Sequence, residues 1–340
     1  MKTLETERLI LRVYTENDFA AVHSYASCVE NVLYTAWGFD SKEKTRAFLQ
    51  RSIQKSKETP VTDYQYAVIQ KDAGKLIGGC QLSISGPKAS VGWILHRDYW
   101  KQGYATEIGK ALLGFGFGEL NVHRITAECD IENRSSYRVM ERIGMRREGL
   151  FIASLPGNKL SDRQYSDGVL YAILKEEWEA QKEMAYYRTL PFVFDDFIIV
   201  PGLTDGLIYL VCTAKKPSNP EKRYVPEYRF AVCLGGEKIG EISLRIGYPD
   251  GLYYGGQIGY GIDEVYRGNG YAVRACRLLR YVAKAHGMQK LLITNAFDNH
   301  ASRRVCEKLN ARLVRVARLP EWHDLYMEGQ RFVNIFEWNV

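Results

Sequence analysis

The sequence contains no long apolar run, and this absence excludes a membrane-spanning helix. Its longest apolar stretches, such as residues 192–200, include charged side chains and fall well short of the ~18 residues that a span requires. The first ten residues, MKTLETERLI, are charged and have no apolar core, so a secretory signal is not expected either. We therefore expect no membrane partner.

Charges of one sign are not clustered anywhere in the chain. The 46 lysine and arginine residues are nearly balanced by 40 aspartate and glutamate residues, and no run of five like charges occurs. Proteins that bind nucleic acids usually carry a basic patch that can neutralise phosphates. A nucleic-acid partner is therefore not expected.

Cysteine pairs at metal-binding or redox spacing are also missing. The seven cysteines are scattered and odd in number, none belongs to a Cys-x-x-Cys motif, and the six histidines show no metal-ligand spacing. This pattern favours free, buried thiols in a reducing compartment over a disulfide framework or a zinc site. We therefore expect a cytoplasmic protein without a bound metal.

The sequence does contain a long internal repeat. Residues 91–149 and 258–315 match in outline, with Gly103 and Gly270 167 positions apart and Asn133 and Asn299 166 positions apart. A repeat this long indicates two whole domains rather than a solenoid, which agrees with a length of 340 residues. We place the domains at residues 1–184 and 185–340.

Hydrophobic periodicity predicts the same order of elements in both halves. In the first half, Thr15-x-x-Asp18 resembles a helix start, and the strands and helices are predicted at 9–13, 66–70, 76–83, 91–95, from about 104, at 124–130 and at 136–143. A helix over 175–187 closes this half. The elements of the second half are predicted at 229–234, 238–246, 258–262, 271–285, 291–295 and 302–309.

Two glycine-containing loops carry the clearest chemical signal. Each lies between a strand and a helix, where small residues leave main-chain N–H groups uncovered at the positive helix end, and this suits a pyrophosphate. A tight turn without a ligand is the alternative. Neither loop has the signature of a triphosphate or dinucleotide site. The loops read Trp100-Lys101-Gln102-Gly103-Tyr104-Ala105 and Arg267-Gly268-Asn269-Gly270-Tyr271-Ala272.

These motifs resemble those of a known family. Arg267-x-x-Gly270-x-Ala272, with Asn299-x-x-Ser302 about thirty residues later, resembles the pyrophosphate loop and following helix of the GNAT N-acetyltransferase superfamily. The first half is similar to its ribosomal-protein-alanine acetyltransferase branch, in which Trp commonly replaces the superfamily's Arg or Gln. The motifs that carry this second resemblance are Glu7-Arg8-Leu9-Ile10-Leu11-Arg12, Trp100-Lys101-Gln102-Gly103-Tyr104-Ala105-Thr106-Glu107, Asn133-x-x-Ser136 and Ile143-Gly144-Met145.

The resemblance implies an α/β fold of the mixed α+β type. Two GNAT-like domains would follow in tandem, each with a mostly antiparallel sheet that splays at a central parallel pair and is flanked by helices. It also implies acetyl-CoA as the donor, held by strand-end and loop main-chain groups. The cofactor-binding residues would be Ile94, Leu95, Gln102, Gly103, Tyr104, Ala105, Thr106 and Asn133 in the first domain, and Ile262, Asp263, Arg267, Gly268, Asn269, Gly270, Tyr271, Ala272, Val273 and Asn299 in the second.

The implied chemistry is attack of a neutral amine on a thioester. An alkylammonium, whose pKa is near 10, must first lose a proton, and a positioned carboxylate assists this step. By the resemblance, Glu128 is the candidate base. Asp130 and Glu132 share its face and are not separated from it. An ordinary exposed strand carboxylate is the alternative.

Hydroxyl groups near the second motif are the other catalytic candidates. By the resemblance, Ser136 would hydrogen-bond or protonate the coenzyme sulfur. Many relatives use a tyrosine as the acid four residues later, but Met140 stands at that position here. The alternatives are that Ser136 is a helix N-cap and that Asn133 is a turn residue. Ser302 is the equivalent hydroxyl in the second half.

The second half departs further from the pattern. Thr294 stands at the position of Glu128 and cannot act as a base, so Glu241 on a neighbouring strand is the candidate catalytic carboxylate there. Surface or hairpin packing is the alternative. Candidates for the wall of an acceptor pocket are Tyr253, Tyr254 and Gln257.

We therefore predict an N-acetyltransferase that moves an acetyl group from acetyl-CoA to a primary amine, on a small molecule or a protein N-terminus, in a ternary complex. The alternative is a CoA-binding sensor or scaffold with one or both domains inactive. Acceptor specificity is assigned to loops 37–57 and 215–228, with Tyr34, Trp37 and Phe39 as an apolar wall or as core residues. The chain would be a monomer with pseudo-dimeric halves or a homodimer.

Overall fold

The computed structural model describes residues 1–35, 37, 41–157 and 164–340, which divide into two compact units. Unit 1 is Met1–Glu179 and unit 2 is Ala180–Val340. The division and the boundary expected near residue 185 fall in one helix, Lys175–Arg188. Within the described residues, no helix is long and apolar enough to cross a membrane. The same residues contain no cluster of three or more His, Cys, Asp or Glu side chains that could hold a metal ion.

Unit 1 is built on a single mixed sheet. Its strands are β1 (Leu4–Glu5), β2 (Leu9–Val13), β3 (Asp63–Gln70), β4 (Lys75–Ser85), β5 (Lys88–Leu95), β6 (Arg124–Asp130), β7 (Arg146–Pro156) and β8 (Tyr165–Leu174). They form an eight-stranded sheet in the order β1-β2-β3-β4-β5-β6-β8-β7. β5 and β6 run parallel, and the other pairings are antiparallel.

Helices cover the apolar surfaces of this sheet. They are α1 (Phe19–Ala26), α2 (Val29–Val32), α3 (Lys42–Lys55), α4 (Tyr104–Gly118) and α5 (Arg134–Arg142), with 3₁₀ turns at Glu16–Asp18 and Arg97–Tyr99. Helix α6 (Lys175–Arg188) crosses the division: Trp178 packs against the core of unit 1, whereas Ala180 and Tyr187 belong to the core of unit 2. Ile108 and Leu112 of α4 are fully buried with Ile125 of β6 in one core cluster. Complete burial of such a side chain stabilises the fold by ~1.5–3 kcal/mol, so α4 is firmly seated behind the loop that precedes it.

The first helical segment starts with the predicted capping box. The Thr15 N–H donates to the Asp18 carboxylate (2.7 Å), and the guanidinium of Arg12 donates to both carboxylate oxygens of Asp18 (2.7 Å each). Burial acts to raise the pKa of Asp18, but these hydrogen bonds outweigh it and hold the pKa below its ordinary value. The segment 15–18 thus ties β2 to α1.

The expected acceptor loop at 37–57 is a helix over most of its length. Ser41 Oγ accepts the Lys44 N–H (3.3 Å) as the N-cap of α3, and the Leu49 side chain is buried. Tyr34 and Trp37 are 39% and 47% exposed, while Phe39 lies outside the described residues. The prediction of a loop is therefore wrong over Lys42–Lys55, because these residues form an amphipathic helix that buries Thr45, Leu49 and Ser52 along one side.

Unit 2 divides its strands between two sheets. Its strands are β9 (Ile208–Lys216), β10 (Glu227–Leu234), β11 (Glu237–Arg245), β12 (Ile258–Ile262), β13 (Lys290–Ala296), β14 (Arg312–Arg318) and β15 (Phe332–Asn339). The sheet orders are β12-β11-β10-β9 and β13-β15-β14. The helices are α7 (Asp250–Gly255), α8 (Tyr271–Ala285), α9 (His300–Lys308) and α10 (Asp324–Met327), with a 3₁₀ turn at Glu264–Tyr266.

Candidate active site

The central parallel strands of unit 1 separate along their length. β5 and β6 are paired over three residues each, up to Ser90 and Thr126. β5 then continues to Leu95 and β6 to Asp130. The two strands diverge beyond their short ladder, which opens a wedge between their carboxyl-terminal ends. The expected splay is therefore present in unit 1, with Ile94 and Leu95 at the end of one side.

In unit 2 a buried glutamine joins the two sheets at the corresponding place. The Gln257 N–H donates to the Leu292 carbonyl (2.8 Å), its Oε1 accepts the Leu292 N–H (2.5 Å), and its Nε2 donates to the Gly247 carbonyl (3.1 Å). Gln257 is fully buried, so the prediction that it lines an acceptor pocket is wrong. It closes one end of the gap between β12 and β13, and β12 then runs to Ile262, which Asp263 follows.

The two tyrosines of α7 are core residues as well. Tyr253 is buried and its hydroxyl donates to a carboxylate oxygen of Glu183 (2.5 Å). Tyr254 is also buried and packs edge-on against the His323 ring. The prediction of an acceptor wall at these positions is therefore wrong, because both rings fill the core of unit 2.

Both glycine-containing loops have the same backbone conformation. Each has two left-handed residues separated by one position: Lys101 (φ 60°) and Gly103 (φ 84°) in unit 1, and Gly268 (φ 85°) and Gly270 (φ 80°) in unit 2. Glycine adopts this region without a steric cost, which explains three of these four positions. Turns of this kind present successive main-chain N–H groups to one side, as anion-binding loops do.

The N–H groups of these loops are free to bind an anion. The first helical bonds run from the Glu107 N–H to the Gly103 carbonyl (3.1 Å) and from the Arg274 N–H to the Gly270 carbonyl (3.2 Å). In the part of the chain that the structure describes, no protein group accepts from the N–H groups of residues 102–106 or 269–273. A helix N-terminus adds a partial positive charge at the same point. These residues fit a diphosphate.

One side chain of each loop braces it against the end of the preceding strand. Trp100 Nε1 donates to the Leu95 carbonyl (2.7 Å), and Arg267 Nε donates to the Ile262 carbonyl (2.9 Å). Trp and Arg thus make the same bond, which explains why either is accepted at this position. The Leu95 carbonyl also accepts from Asn31 Nδ2. Both lone pairs of this oxygen are therefore used within the protein. The Leu95 carbonyl consequently has no lone pair left to accept a hydrogen bond from acetyl-CoA.

A cation next to β2 ties the unit 1 loop to the sheet. Arg8 donates to the Gln102 carbonyl (3.1 Å) and to the Glu107 carboxylate (2.8 Å), and its guanidinium lies 4.4 Å from the centroid of the Tyr104 ring. Burial acts to raise the pKa of Glu107, but hydrogen bonds from the Thr6 hydroxyl and from Arg8 hold the pKa below its ordinary value. The ion pair between Arg8 and Glu107 thereby holds the loop to β2.

Unit 2 has a similar tie with the charges exchanged. Arg274, 167 positions after Glu107, pairs with Asp205 (2.6 Å) from the segment before β9. The cation therefore belongs to α8 itself. A surface groove of about 630 Å³ lies beside Gly270, and its lining includes four basic side chains, Arg274, Arg277, Arg280 and Lys308. The charge of this groove suits a ligand that carries phosphates.

The structure separates the three carboxylates proposed as the base. Glu128 is exposed on the face of β6 opposite Ala127 and Cys129, which belong to the core. Asp130 is buried, and its Oδ1 accepts the Glu132 N–H (2.8 Å), so it shapes the turn that follows the strand. Glu132 lies beyond the end of the strand. The geometry favours Glu128, and its catalytic role stays a prediction.

The two asparagines, and not the serines, cap the short helices. Asn133 Oδ1 accepts the Ser136 N–H (3.1 Å) at the start of α5, and Asn299 Oδ1 accepts the Ser302 N–H (3.0 Å) at the start of α9. The interpretation of Ser136 as an N-cap is therefore wrong, because the helix begins two residues earlier than expected. The hydroxyls of both serines remain available for other contacts.

These two hydroxyls contact different groups. Burial raises the pKa of the Cys129 thiol to about 11, and the nearby Ser136 hydroxyl acts to lower it. Ser302 Oγ lies 2.8 Å from the phenol oxygen of Tyr260 on β12, and burial raises the pKa of Tyr260. Tyr260 was missed by the sequence analysis. The signal that could have found it is the repeat itself, because Tyr260 lies 167 positions after Trp93, an aromatic residue on β5.

The candidate carboxylate of unit 2 is poorly placed to act as a base. Glu241 on β11 is exposed and pairs with Lys238 on the same strand (2.5 Å). The hydrogen bond from Lys238 lowers the pKa of Glu241, which makes the carboxylate a weaker proton acceptor. At the position that matches Glu128, unit 2 has Thr294. Unit 2 therefore has neither a carboxylate at the position of Glu128 nor a well-placed substitute for it at Glu241.

The chain is similar in sequence to known acetyltransferases. The family model described as "Acetyltransferase (GNAT) domain" matches residues 8–146 and 211–312, one segment in each unit. The uncharacterized N-acetyltransferase YnaD of Bacillus subtilis (strain 168) is 37% identical over 178 residues, which cover 52% of this chain and 98% of that protein. A relative of single-unit length therefore corresponds to about half of this chain.

Two solved structures are each similar to about half of this chain. A GNAT-family acetyltransferase from Bacillus anthracis is 34% identical with a TM-score of 0.46, and the match covers 52% of this chain and 99% of that one. The ribosomal-protein-S5-alanine acetyltransferase from Vibrio fischeri is 20% identical with a TM-score of 0.45, again over 52% of this chain and 99% of that one.

Proposed function

Because the chain belongs to the GNAT acetyltransferase family, as its motifs indicated, we propose that it transfers an acetyl group from acetyl-CoA to a primary amine. The amine attacks directly in a ternary complex, and the thioester supplies the acyl group. The observation that carries the proposal is the pair of loops at Gly103 and Gly270. Their uncommitted N–H groups at two helix N-termini suit the diphosphate of the carrier.

In unit 1 each candidate side chain has a distinct task. Glu128 accepts the proton that an ammonium must lose before it can attack. The Ser136 hydroxyl, at the start of α5, donates a hydrogen bond to the departing sulfur. Trp100 and Arg8 hold the loop in the shape that binds the diphosphate, through their bonds to Leu95 and Gln102.

In unit 2 we propose binding of the same carrier with little or no turnover. The specific observation in favour is Thr294 at the position of Glu128. The Ser302 hydroxyl is also engaged by Tyr260 (2.8 Å), while the loop around Gly270 and its basic groove retain the features that favour phosphate. This is the alternative function, restricted to one half of the chain.

The remaining expectations belong to the same proposal. The acceptor is a primary amine of a small molecule or of a protein N-terminus. A cytoplasmic location accords with the seven free cysteines. The chain acts as a monomer or a homodimer.

The test measures thiol release by the full-length chain with acetyl-CoA and a panel of ethanolamine, spermine and an alanine-leading tripeptide. Ala105→Glu and Ala272→Glu add a negative charge to the first turn of α4 and α8, where it stabilises a helix but repels a diphosphate. Ala105→Gln and Ala272→Gln are the uncharged controls. We expect Ala105→Glu to abolish turnover and Ala272→Glu to remove one CoA site seen by calorimetry. Absence of both CoA binding and thiol release would refute the proposal.

A further inference from the structure

A glycine on β8 leaves room for two polar side chains that arrive from neighbouring strands. Gly168 pairs with Asp130 of β6. A Cβ at Gly168 would lie 2.6 Å from Glu128 Oε1 and 2.6 Å from Ser154 Oγ, closer than real Cβ contacts. Gly168 is not among the glycines with positive φ. Its lack of a side chain is therefore explained by the approach of these two oxygens.

Ser154 reaches this point because β7 is bulged. The register between β7 and β8 shifts between Phe151 and Leu155, and Ala153 adopts a left-handed conformation (φ 51°) that is uncommon outside glycine. The Asp167 carboxylate accepts the Ala153 N–H (2.8 Å) and holds the bulge in place. A bulge re-aims the side chains around it, and here it turns Ser154 toward Gly168.

We propose that Glu128 Oε1 and Ser154 Oγ together seat the acceptor amine of unit 1, an inference that rests on the proposed function. Each oxygen is 2.6 Å from the same point above Gly168, so the two are at most twice that distance apart. One nitrogen at ordinary hydrogen-bond distances of ~2.7–3.2 Å can reach both. An ammonium has three N–H donors, and a carboxylate and a hydroxyl are both acceptors.

The seat also places the nitrogen for the reaction. The ammonium gives one proton to the Glu128 carboxylate and becomes a neutral amine. Its lone pair forms the N–C bond while the C–S bond breaks. The nitrogen then loses a second proton, the thiolate gains one, and a single proton passes to solvent overall. Ser154 is a positioning residue in this scheme, since its hydroxyl orients the nitrogen and exchanges no proton.

Unit 2 has no such seat among its described residues. Ala296 lies 166 positions after Asp130 and pairs with Val333, which therefore corresponds to Gly168. Val333 is fully buried, and Thr294 replaces the carboxylate. The acceptor is thereby assigned to unit 1.

The experiment measures binding of n-butylammonium to the CoA-loaded full-length chain by NMR, which needs no turnover. The variants are Ser154→Ala, Ser154→Thr and Gly168→Ala. Gly114→Ala is the matched control, because a Cβ there meets nothing within 4 Å. We expect Ser154→Ala to weaken binding about fivefold through loss of one hydrogen bond, Gly168→Ala to weaken it about tenfold or more, and Ser154→Thr to restore it.

Each outcome bears on the inference. Unchanged binding in Ser154→Ala, or no binding by the wild-type chain, overturns it. If Gly168→Ala does not fold, the comparison of Ser154→Ala with Ser154→Thr decides alone. CoA binding is measured by calorimetry on the same samples. Its absence would instead mark the failure of the proposed function.

Discussion

Trp100 Nε1 donates a hydrogen bond of 2.7 Å to the Leu95 carbonyl and so fixes the start of the unit 1 loop to the end of β5. Arg267 makes the corresponding bond to Ile262 in unit 2 (2.9 Å). In both units a side chain at the start of the loop is therefore hydrogen-bonded to the end of the preceding strand, although the side chain is Trp in one unit and Arg in the other. The role of this position is to shape the loop, and the loop's main chain provides the contacts for an anion.

The first prediction concerns this brace. Trp100→Phe removes the donor but keeps an aromatic ring, so we expect the KM for acetyl-CoA to rise about fivefold, as loss of one hydrogen bond implies. Trp100→Arg should remain near the wild-type value, because Arg267 makes the same bond in unit 2. Steady-state kinetics of thiol release provide the measurement. Equal effects of the two substitutions would contradict this role.

The second prediction separates the candidate bases. Glu128→Gln should lower kcat by about 10²-fold or more, because the amide cannot accept a proton, while the KM for acetyl-CoA stays the same. Glu132→Gln is the matched control and should change kcat less than about twofold. A loss confined to Glu132→Gln would assign the base to Glu132.

The third prediction concerns the loss of stability at low pH that Glu107 causes. The pKa of Glu107 in the folded state lies below its ordinary value of 4.5. Its contribution to stability is therefore complete above that value and is lost as the pH falls through the folded pKa. We expect the difference in Tm between the wild type and Glu107→Gln to be largest near neutral pH and to shrink below the ordinary value. Circular dichroism melts across this range provide the check, and a pH-independent difference would contradict it.

The fourth prediction concerns thiol reactivity. Cys129 is buried, and its pKa is raised to about 11, so it is almost entirely protonated at about pH 8 and reacts slowly. Cys212 is exposed and should be alkylated first by iodoacetamide. Mass spectrometry over time measures both rates. Alkylation of Cys129 as fast as that of Cys212 would be inconsistent with the described environment.

Elements with strong local signals were predictable. The bounds of β6, β12 and α8 agree with the sequence analysis, because alternation and helical periodicity are properties of short segments. The starts of α5 and α9 were placed two residues late. The cause is that Asn and Ser both favour N-caps, and the choice of Asn133 and Asn299 depends on backbone geometry.

Contacts between distant segments were not predictable. Tyr260 and Ser302 are 42 residues apart. Glu128 and Ser154 approach the same point above Gly168 because of a bulge on a strand that periodicity did not reveal. Gln257 and Tyr253 were assigned to a pocket because amide and phenol groups suit ligand sites and satisfied cores equally well. Burial, which the sequence does not contain, decides between the two.

The central claim is tested most directly by a crystal structure of the full-length chain with acetyl-CoA. We expect the diphosphate oxygens in unit 1 to lie within about 3.2 Å of main-chain nitrogens in the 102–106 segment. The pantetheine part of acetyl-CoA should enter the wedge between β5 and β6. A carrier bound elsewhere, with neither this segment nor residues 269–273 in contact with it, would contradict the account.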